Sequence, residues 1–402
     1  MESEFFKRNR KKLAHTLNGG VVVLSAYTSL QQQNDSAFKF RQEANFWYLT
    51  GIEQSDWVVV IDGSTDEEWL IKPDVDEVHE IFDGSLSAKE ASAISGIKKV
   101  VSHDEGVSLL RVLAKKHSIV YTVDNPPYAD QFSFSLNPAI GANKKMLERA
   151  FNSVVDCQKE LAKMRALKQP EEITAIRRAI ALTVDGFEKV KSSIANARYE
   201  YEIEAEFSYL FKRKGGFDHA YEPIIAGGGN ACTLHYVENN TKLSAKQLVL
   251  MDVGARVDGY AADITRTYAK GVPTKRQKVV HQAVQAAHFD IIELLKPGLS
   301  VEEYARNVDA RMKQALMDVG LLKDENDAET YRKYFPHAIS HGLGIDVHDS
   351  LGGARHFEPG MVLTVEPGIY IPEEGIGVRI EDDILITKNG HENLSAALST
   401  DL

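Results

Sequence analysis

Residues 246–268 read KQLVLMDVGARVDGYAADITRTY, and residues 359–387 read PGMVLTVEPGIYIPEEGIGVRIEDDILIT. The two stretches share one layout. An apolar strand ends in an acid, a turn rich in glycine and acids follows, and a second strand carries another acid. This predicts two β-hairpins related by pseudo-symmetry, each backed by helices. In the first, Asp252 and Asp263 are equidistant, to within one residue, from the turn signal Asp258-Gly259. In the second, Glu366 and Glu381 are centred on the turn PEEG at 372–375. Residues equidistant from a hairpin turn oppose each other across the ladder, with Cβ atoms about 4.5–5.5 Å apart. Each hairpin is therefore expected to set two carboxylates side by side. Like charges directly opposite are destabilising, and burying them unpaired costs more. Solvent-facing strand acids would explain one such pair; two pairs in apolar strands call for a cation. Four carboxylates with one or two imidazoles make a hard, oxygen-rich site suited to two Mn²⁺, Co²⁺ or Zn²⁺ ions about 3.5–4 Å apart. Thr265 lies two residues after Asp263 and Arg379 two before Glu381, so period two places each on its acid's face. Both are candidates for supporting the acids or holding substrate charge.

The imidazoles come from FPHAISHGLGIDVHDS, residues 335–350, which holds His337, His341 and His348. The four-residue spacing of the first two is that of a zinc-protease helix. Pro336 before them and Gly342 and Gly344 after them favour loop or strand, and HExxH lacks its glutamate. Upstream, IIAGGGNACTLHYVENN adds His235 after a glycine-rich bend, whose glycines suit close backbone approach to a substrate. His103, His117, His281, His288 and His391 read as ordinary structural histidines, and so, with less to decide it, do His219 and His356.

The chain has 402 residues, 43% hydrophobic and 26% charged, with a net charge of −11. This is a globular composition long enough for about two domains. The acidic balance gives no global attraction to nucleic acid or anionic membrane. No apolar run approaches a membrane span, and the basic start MESEFFKRNRKKL is not followed by a signal-peptide core. Cys157 and Cys232 form no CxxC pair, so a reducing cytoplasm fits and a cysteine metal site does not. In the first 150 residues the β-branched runs GGVVVLSAY, DWVVVIDG and HSIVYTVD alternate with helical stretches, predicting an α/β domain with a mixed sheet. A helical pattern spans Met146 to Leu167 with an interruption near NSVVD. Pro170 opens a stronger helix, with Glu171 and Glu172 at the positive end of its dipole. The division falls at 165, giving domains 1–165 and 166–402, of overall class α/β (α+β).

The stretches LMDVGARVDGYAADITRTY, HAISHGLGIDVHD, MVLTVEPGIYI and GIGVRIEDDILIT resemble the pita-bread metallopeptidases, in their aminopeptidase P and prolidase branch. NDSAFKFRQEANFWYLTGIEQSDWVVVI, residues 34–61, resembles that branch's N-terminal domain in its bacterial aminopeptidase P form. The resemblance implies a metallo-exopeptidase that cuts the bond between an N-terminal residue and a following proline, using a hydroxide bridging two metal ions, Mn²⁺ foremost. It implies Asp252, Asp263, His341, Glu366 and Glu381 as ligands, with Asp263 and Glu381 bridging. Glu366 then also moves the proton. His235, His348 and His337 become pocket histidines, with Tyr370 and Arg379 beside the site. Asp35 matches an acid offered across a subunit interface, implying a homodimer or homotetramer and an N-terminal domain serving assembly and substrate access. The implied substrates are proline-containing peptides. Phe82 in HEIFDG departs from the tryptophan usual there, which bears on the pocket rim. Three alternatives stand beside this reading. Prolidase would cut dipeptides only; methionine aminopeptidase needs no such N-terminal domain; a non-catalytic binder on the same fold would have lost ligands, and none is missing here.

Overall fold

Valine and isoleucine runs form the centre of the first sheet because β-branched side chains pack well on a pleated surface. In the computed structural model, which describes residues 1–126, 129–216 and 218–402, the chain divides into two units, Met1–Ala162 and Lys163–Leu402. The first unit holds a six-stranded mixed sheet. Its order is Lys99–Val101, Glu67–Ile71, Val58–Asp62, Val21–Ser25, Ile119–Thr122 and Ser153–Asp156. The pairs Val21–Ser25 with Val58–Asp62 and Val58–Asp62 with Glu67–Ile71 are antiparallel; the other three are parallel. The interruption at NSVVD is an element in its own right. Val154 and Val155 put Ser153–Asp156 on the sheet edge, splitting the 146–167 helical pattern into helices Pro138–Glu148 and Gln158–Ala166. Asp35 sits at the exposed turn of the small hairpin Gln31–Gln33 and Ser36–Ala37.

The second unit runs twice through two long helices followed by antiparallel strands. Its first helix, Pro170–Ser193, begins with Pro170 and closes a capping box in which Gln169 N–H donates to Glu172 Oε2 at 2.8 Å. Helix Glu200–Arg213 follows. Strands Ile224–Gly227, Leu248–Val253 and Ile264–Ala269 then form one antiparallel sheet. In the second half, helices Lys275–Ile292 and Val301–Asp318 precede strands Val362–Val365, Gly368–Ile371, Ile376–Arg379 and Asp382–Ile386. Val284, Ile291, Met312, Leu363 and Val378 form the dry centre between these helices and strands. The halves meet at Thr265 and Glu381, where Glu381 N–H donates to Thr265 O at 3.0 Å. Among the described residues no helix is long and apolar enough to cross a membrane.

The register corrects one expectation. In the second hairpin Val365 faces Asp382 and Gly368 faces Arg379, so Glu366 and Glu381 are indeed equidistant from the turn. In the first, Val257 faces Tyr260 and Asp252 faces Thr265, not Asp263. The cause is the turn. Asp258 and Gly259 both take positive φ (50° and 85°) as the two central residues of a tight loop, the geometry that matches strand twist. Centring on that pair moves the partner of Asp252 by two residues, which keeps every side chain on its predicted face.

His281, on helix Lys275–Ile292, is 3% exposed, and burial pushes its imidazole down to about 4. The unfolded chain binds this proton near pH 6.5 and the native protein only near 4, so stability falls as pH drops through that window. His281→Leu is expected to flatten the decline in urea-unfolding free energy between pH 7 and 4.5 by about 2–3 kcal/mol. An unchanged slope would refute this.

Candidate metal centre and substrate cavity

The strand ends of both halves converge on a cavity of about 350 Å³. Its lining includes Asp252, Asp263, His341, Glu366 and Glu381, together with His235, His337, His348 and Arg379. Tyr370 stands immediately behind, its hydroxyl accepting from Arg379 Nη1 at 3.0 Å and lying 2.8 Å from His337 Nε2. Of the residues the sequence tied to the site or its rim, Asp35 and Phe82 belong to the other unit. None of the histidines read as structural lines the cavity.

Each acid has a defined environment. Asp252 Oδ2 accepts from Arg379 Nη2 at 2.5 Å. Asp263 Oδ2 lies 3.4 Å from His341 Nε2, and its backbone N–H donates to Asp383 Oδ2 at 3.1 Å instead of entering the ladder. Glu366 Oε1 lies 3.6 Å from His341 Nε2, and Glu366 Oε2 lies 3.6 Å from His337 Nδ1. Glu381 Oε2 accepts from Thr265 Oγ1 at 2.6 Å, and Thr265 Oγ1 also accepts from Arg379 Nε at 3.2 Å. Thr265 thus supports Glu381 of the opposite half, where the sequence had paired it with Asp263. His337 and His341 lie in non-helical chain after helix Ala328–Tyr334. They face different partners: His337 Nδ1 sits 2.7 Å from Ala338 O, whereas His341 Nδ1 sits 3.0 Å from Gly342 O and turns Nε2 to the acids. The rings of His341 and His348 are 4.3 Å apart.

The donor set fits divalent cations. Oxygens of Asp263 and Glu381 and a ring nitrogen of His341 lie within 4.8 Å of one another. Burial raises the Asp252 and Glu381 carboxyls, and the neighbouring acids add repulsion. Burial pushes Glu366 up to about 7, against the pull of His341 and Arg379. For His341 burial works the other way, but Asp263 and Glu366 outweigh it and hold the ring near 9. A bound cation relieves these strained charges together.

Two features escaped the sequence. Tyr221 directs its hydroxyl at Asp252 Oδ1 and at Asp263 Oδ1, 2.5 Å from the latter, bracing together two acids that the register does not set opposite each other. The only trace of it is position: Ile224 faces Asp252 in the ladder, and Tyr221 precedes Ile224 by one turn of chain. Tyr221→Phe is expected to weaken metal affinity about tenfold; titration calorimetry showing no change would refute the bracing role. The glycines at 227–228 have a packing reason of their own that the sequence did not show. A Cβ at Gly227 would meet Leu243 at 2.5 Å, and one at Gly228 would meet Gln247 at 2.7 Å.

A buried carboxylate–imidazole cluster at the junction of two pseudo-symmetric halves is the donor chemistry of a metal-dependent hydrolase. The comparisons place it further. Residues 174–388 match the model of metallopeptidase family M24, and residues 6–121 match the aminopeptidase P N-terminal domain. The chain belongs to metallopeptidase family M24. It is 33% identical to the Xaa-Pro aminopeptidase of Escherichia coli (strain K12), across 98% of this chain and 94% of that one. The E. coli aminopeptidase P structure in its low-pH form superposes with a TM-score of 0.88 at 32% identity, covering 100% of this chain and 96% of that one. The E. coli enzyme with the inhibitor Pro-Leu gives 0.87 at 31% identity, with the same coverage.

Proposed function

We propose that the chain is an Xaa-Pro aminopeptidase, removing the first residue of peptides whose second residue is proline. The observation that carries this reading is the set of Asp252, Asp263, His341, Glu366 and Glu381 around one cavity, on a chain that matches Xaa-Pro aminopeptidases over nearly its full length. Those five residues would hold two divalent ions, Mn²⁺ first among candidates. When bound, the ions supply positive charge that acidifies the attacking water and polarises the scissile carbonyl. Glu366 takes the proton from that water on its carboxylate and passes it to the leaving proline nitrogen. His235 and His348 donate hydrogen bonds to the oxyanion that develops on the carbonyl. His337, steadied by Tyr370, lines the peptide's path, and Arg379 holds Asp252 and Tyr370 in place. The Xaa-Pro bond is a tertiary amide without N–H, so the pocket must read the proline ring by shape. Asp35 would complete the site across a subunit interface in a cytoplasmic homodimer or homotetramer, with residues 1–165 serving assembly and substrate access.

The test is to incubate Mn²⁺-loaded protein with Xaa-Pro-Yaa tripeptides and Xaa-Pro dipeptides in parallel. Release of the first residue from the tripeptides, abolished by chelator and restored by Mn²⁺, is expected. Cleavage of dipeptides alone would replace the reading by prolidase. Cleavage of Met-initiated peptides instead would replace it by methionine aminopeptidase.

A further inference from the structure

Arg165 and Lys168 lie just ahead of helix Pro170–Ser193, far in sequence from every residue lining the cavity. Arg165 Nη2 donates to Asp349 Oδ1 at 2.9 Å and to Asp346 Oδ2 at 2.5 Å. Lys168 Nζ stands 3.7 Å from Asp349 Oδ2. Arg165, Lys168 and Asp349 are all buried, at 5–6% exposure. Replacing such a buried ion cluster by apolar side chains often costs nothing in stability, so stability alone does not account for it. Its geometric consequence is plain. The loop between His341 and Asp349 is fixed at its first end by main chain: Leu343 N–H donates to Val362 O and Thr364 N–H to His341 O, both at 3.0 Å. The other end is tied back by Asp349 N–H donating to Gly342 O at 2.8 Å, and its carboxylate accepts from Arg165 and faces the Lys168 ammonium at ion-pair distance. The loop wraps Asp349 so closely that a Cβ on Gly344 would sit 2.1 Å from Asp349 Oδ2, and one on Gly342 would sit 2.5 Å from Asp349 O. The glycines of SHGLG are therefore demanded by this anchor. The residue next to the buried Asp349 is His348, which is exposed and lines the cavity.

We infer that Arg165 and Lys168 are positioning residues for the reaction. By gripping Asp349 they fix the backbone at 346–349 and hold the His348 imidazole at the cavity wall. The inference rests on the reading of His348 as a substrate-contacting group. It is tested by a double-mutant cycle in the full-length, Mn²⁺-loaded protein, with kcat on an Xaa-Pro-Yaa tripeptide expressed per metal-loaded subunit. Asp349→Asn and His348→Ala should each lower kcat about 10- to 100-fold. The double variant should be no slower than His348→Ala alone, and metal content should be unchanged throughout. Arg165→Gln probes the same contact from its other end and should reproduce Asp349→Asn; it decides the matter if Asp349→Asn does not fold. Additive losses, or wild-type kcat in a folded Asp349→Asn or Arg165→Gln protein, would overturn the inference while leaving the role of His348 intact. Wild-type kcat in His348→Ala would overturn that role, and the inference with it.

Discussion

Asp263→Asn will fold, lose most of its bound metal, and cleave Xaa-Pro-Yaa peptides at least about 10³-fold more slowly than the wild type, a loss of roughly 4 kcal/mol in barrier lowering. The substitution keeps the side chain's volume and removes its charge. Asp263 is the acid nearest His341, with Nε2 at 3.4 Å from Oδ2, and it shares the tightest donor group with His341 and Glu381. Its backbone bond to Asp383 survives the change, so the strand should keep its course. His341→Ala should give the same pair of losses by removing the imidazole donor from that group. Metal content by mass spectrometry and kcat/KM on a tripeptide decide it. Full activity with a normal metal complement in either variant would remove these residues from the centre. The two measurements are needed together, because an inactive variant that retains its metal would point to a role in catalysis other than ligation.

The acids of this site were readable because a strand's two-residue period survives register errors. Asp252, Asp263, Glu366 and Glu381 stand on the expected faces even though Asp252 faces Thr265. A shift of two residues leaves the faces unchanged and alters only who stands opposite whom. What set the register was the turn, where Asp258 and Gly259 form the loop themselves. Pro336 and the glycines spoke against a helix, and the two histidines do stand in non-helical chain, His341 turned to Asp263 and His337 to Tyr370 and Glu366. Tyr221 stayed hidden because it belongs to no motif. It is one of 15 tyrosines, placed only by the pairing of Ile224–Gly227 with Leu248–Val253, which the glycine-rich bend at its end obscured. Strand Ser153–Asp156 was masked by the helical periodicity on either side. Buried charge networks such as Arg165 with Asp349 span more than 180 residues of sequence, and no local pattern announces them.

A second network of this kind predicts the largest effect on stability. Arg266 is 1% exposed and every nitrogen of its guanidinium is engaged. Nη1 donates to Thr265 O at 2.9 Å and to Glu381 O at 2.7 Å; Nη2 donates to Asp382 Oδ1 at 2.6 Å and to Leu398 O at 2.9 Å; Nε donates to Ser399 O at 3.1 Å. One side chain thereby joins the strands of both halves to the C-terminal segment, at the crossing that carries Glu381. Arg266→Met keeps much of the aliphatic stem but takes the guanidinium from the buried Asp382, leaving it only the Asn393 amide at 2.6 Å and the His288 ring at 3.4 Å; removing one partner of such a buried pair costs about 3–5 kcal/mol. Urea denaturation of the metal-free protein should show a loss of that size. Because the Glu381 carbonyl loses the Arg266 donor that holds it from one side, metal affinity should fall as well. Adding Asp382→Leu to Arg266→Met should recover much of the stability, since the buried charge is gone, but not the metal affinity, since the Arg266 donor to Glu381 O is still missing. A single variant within about 1 kcal/mol of the wild type would show that the guanidinium is not what closes this crossing.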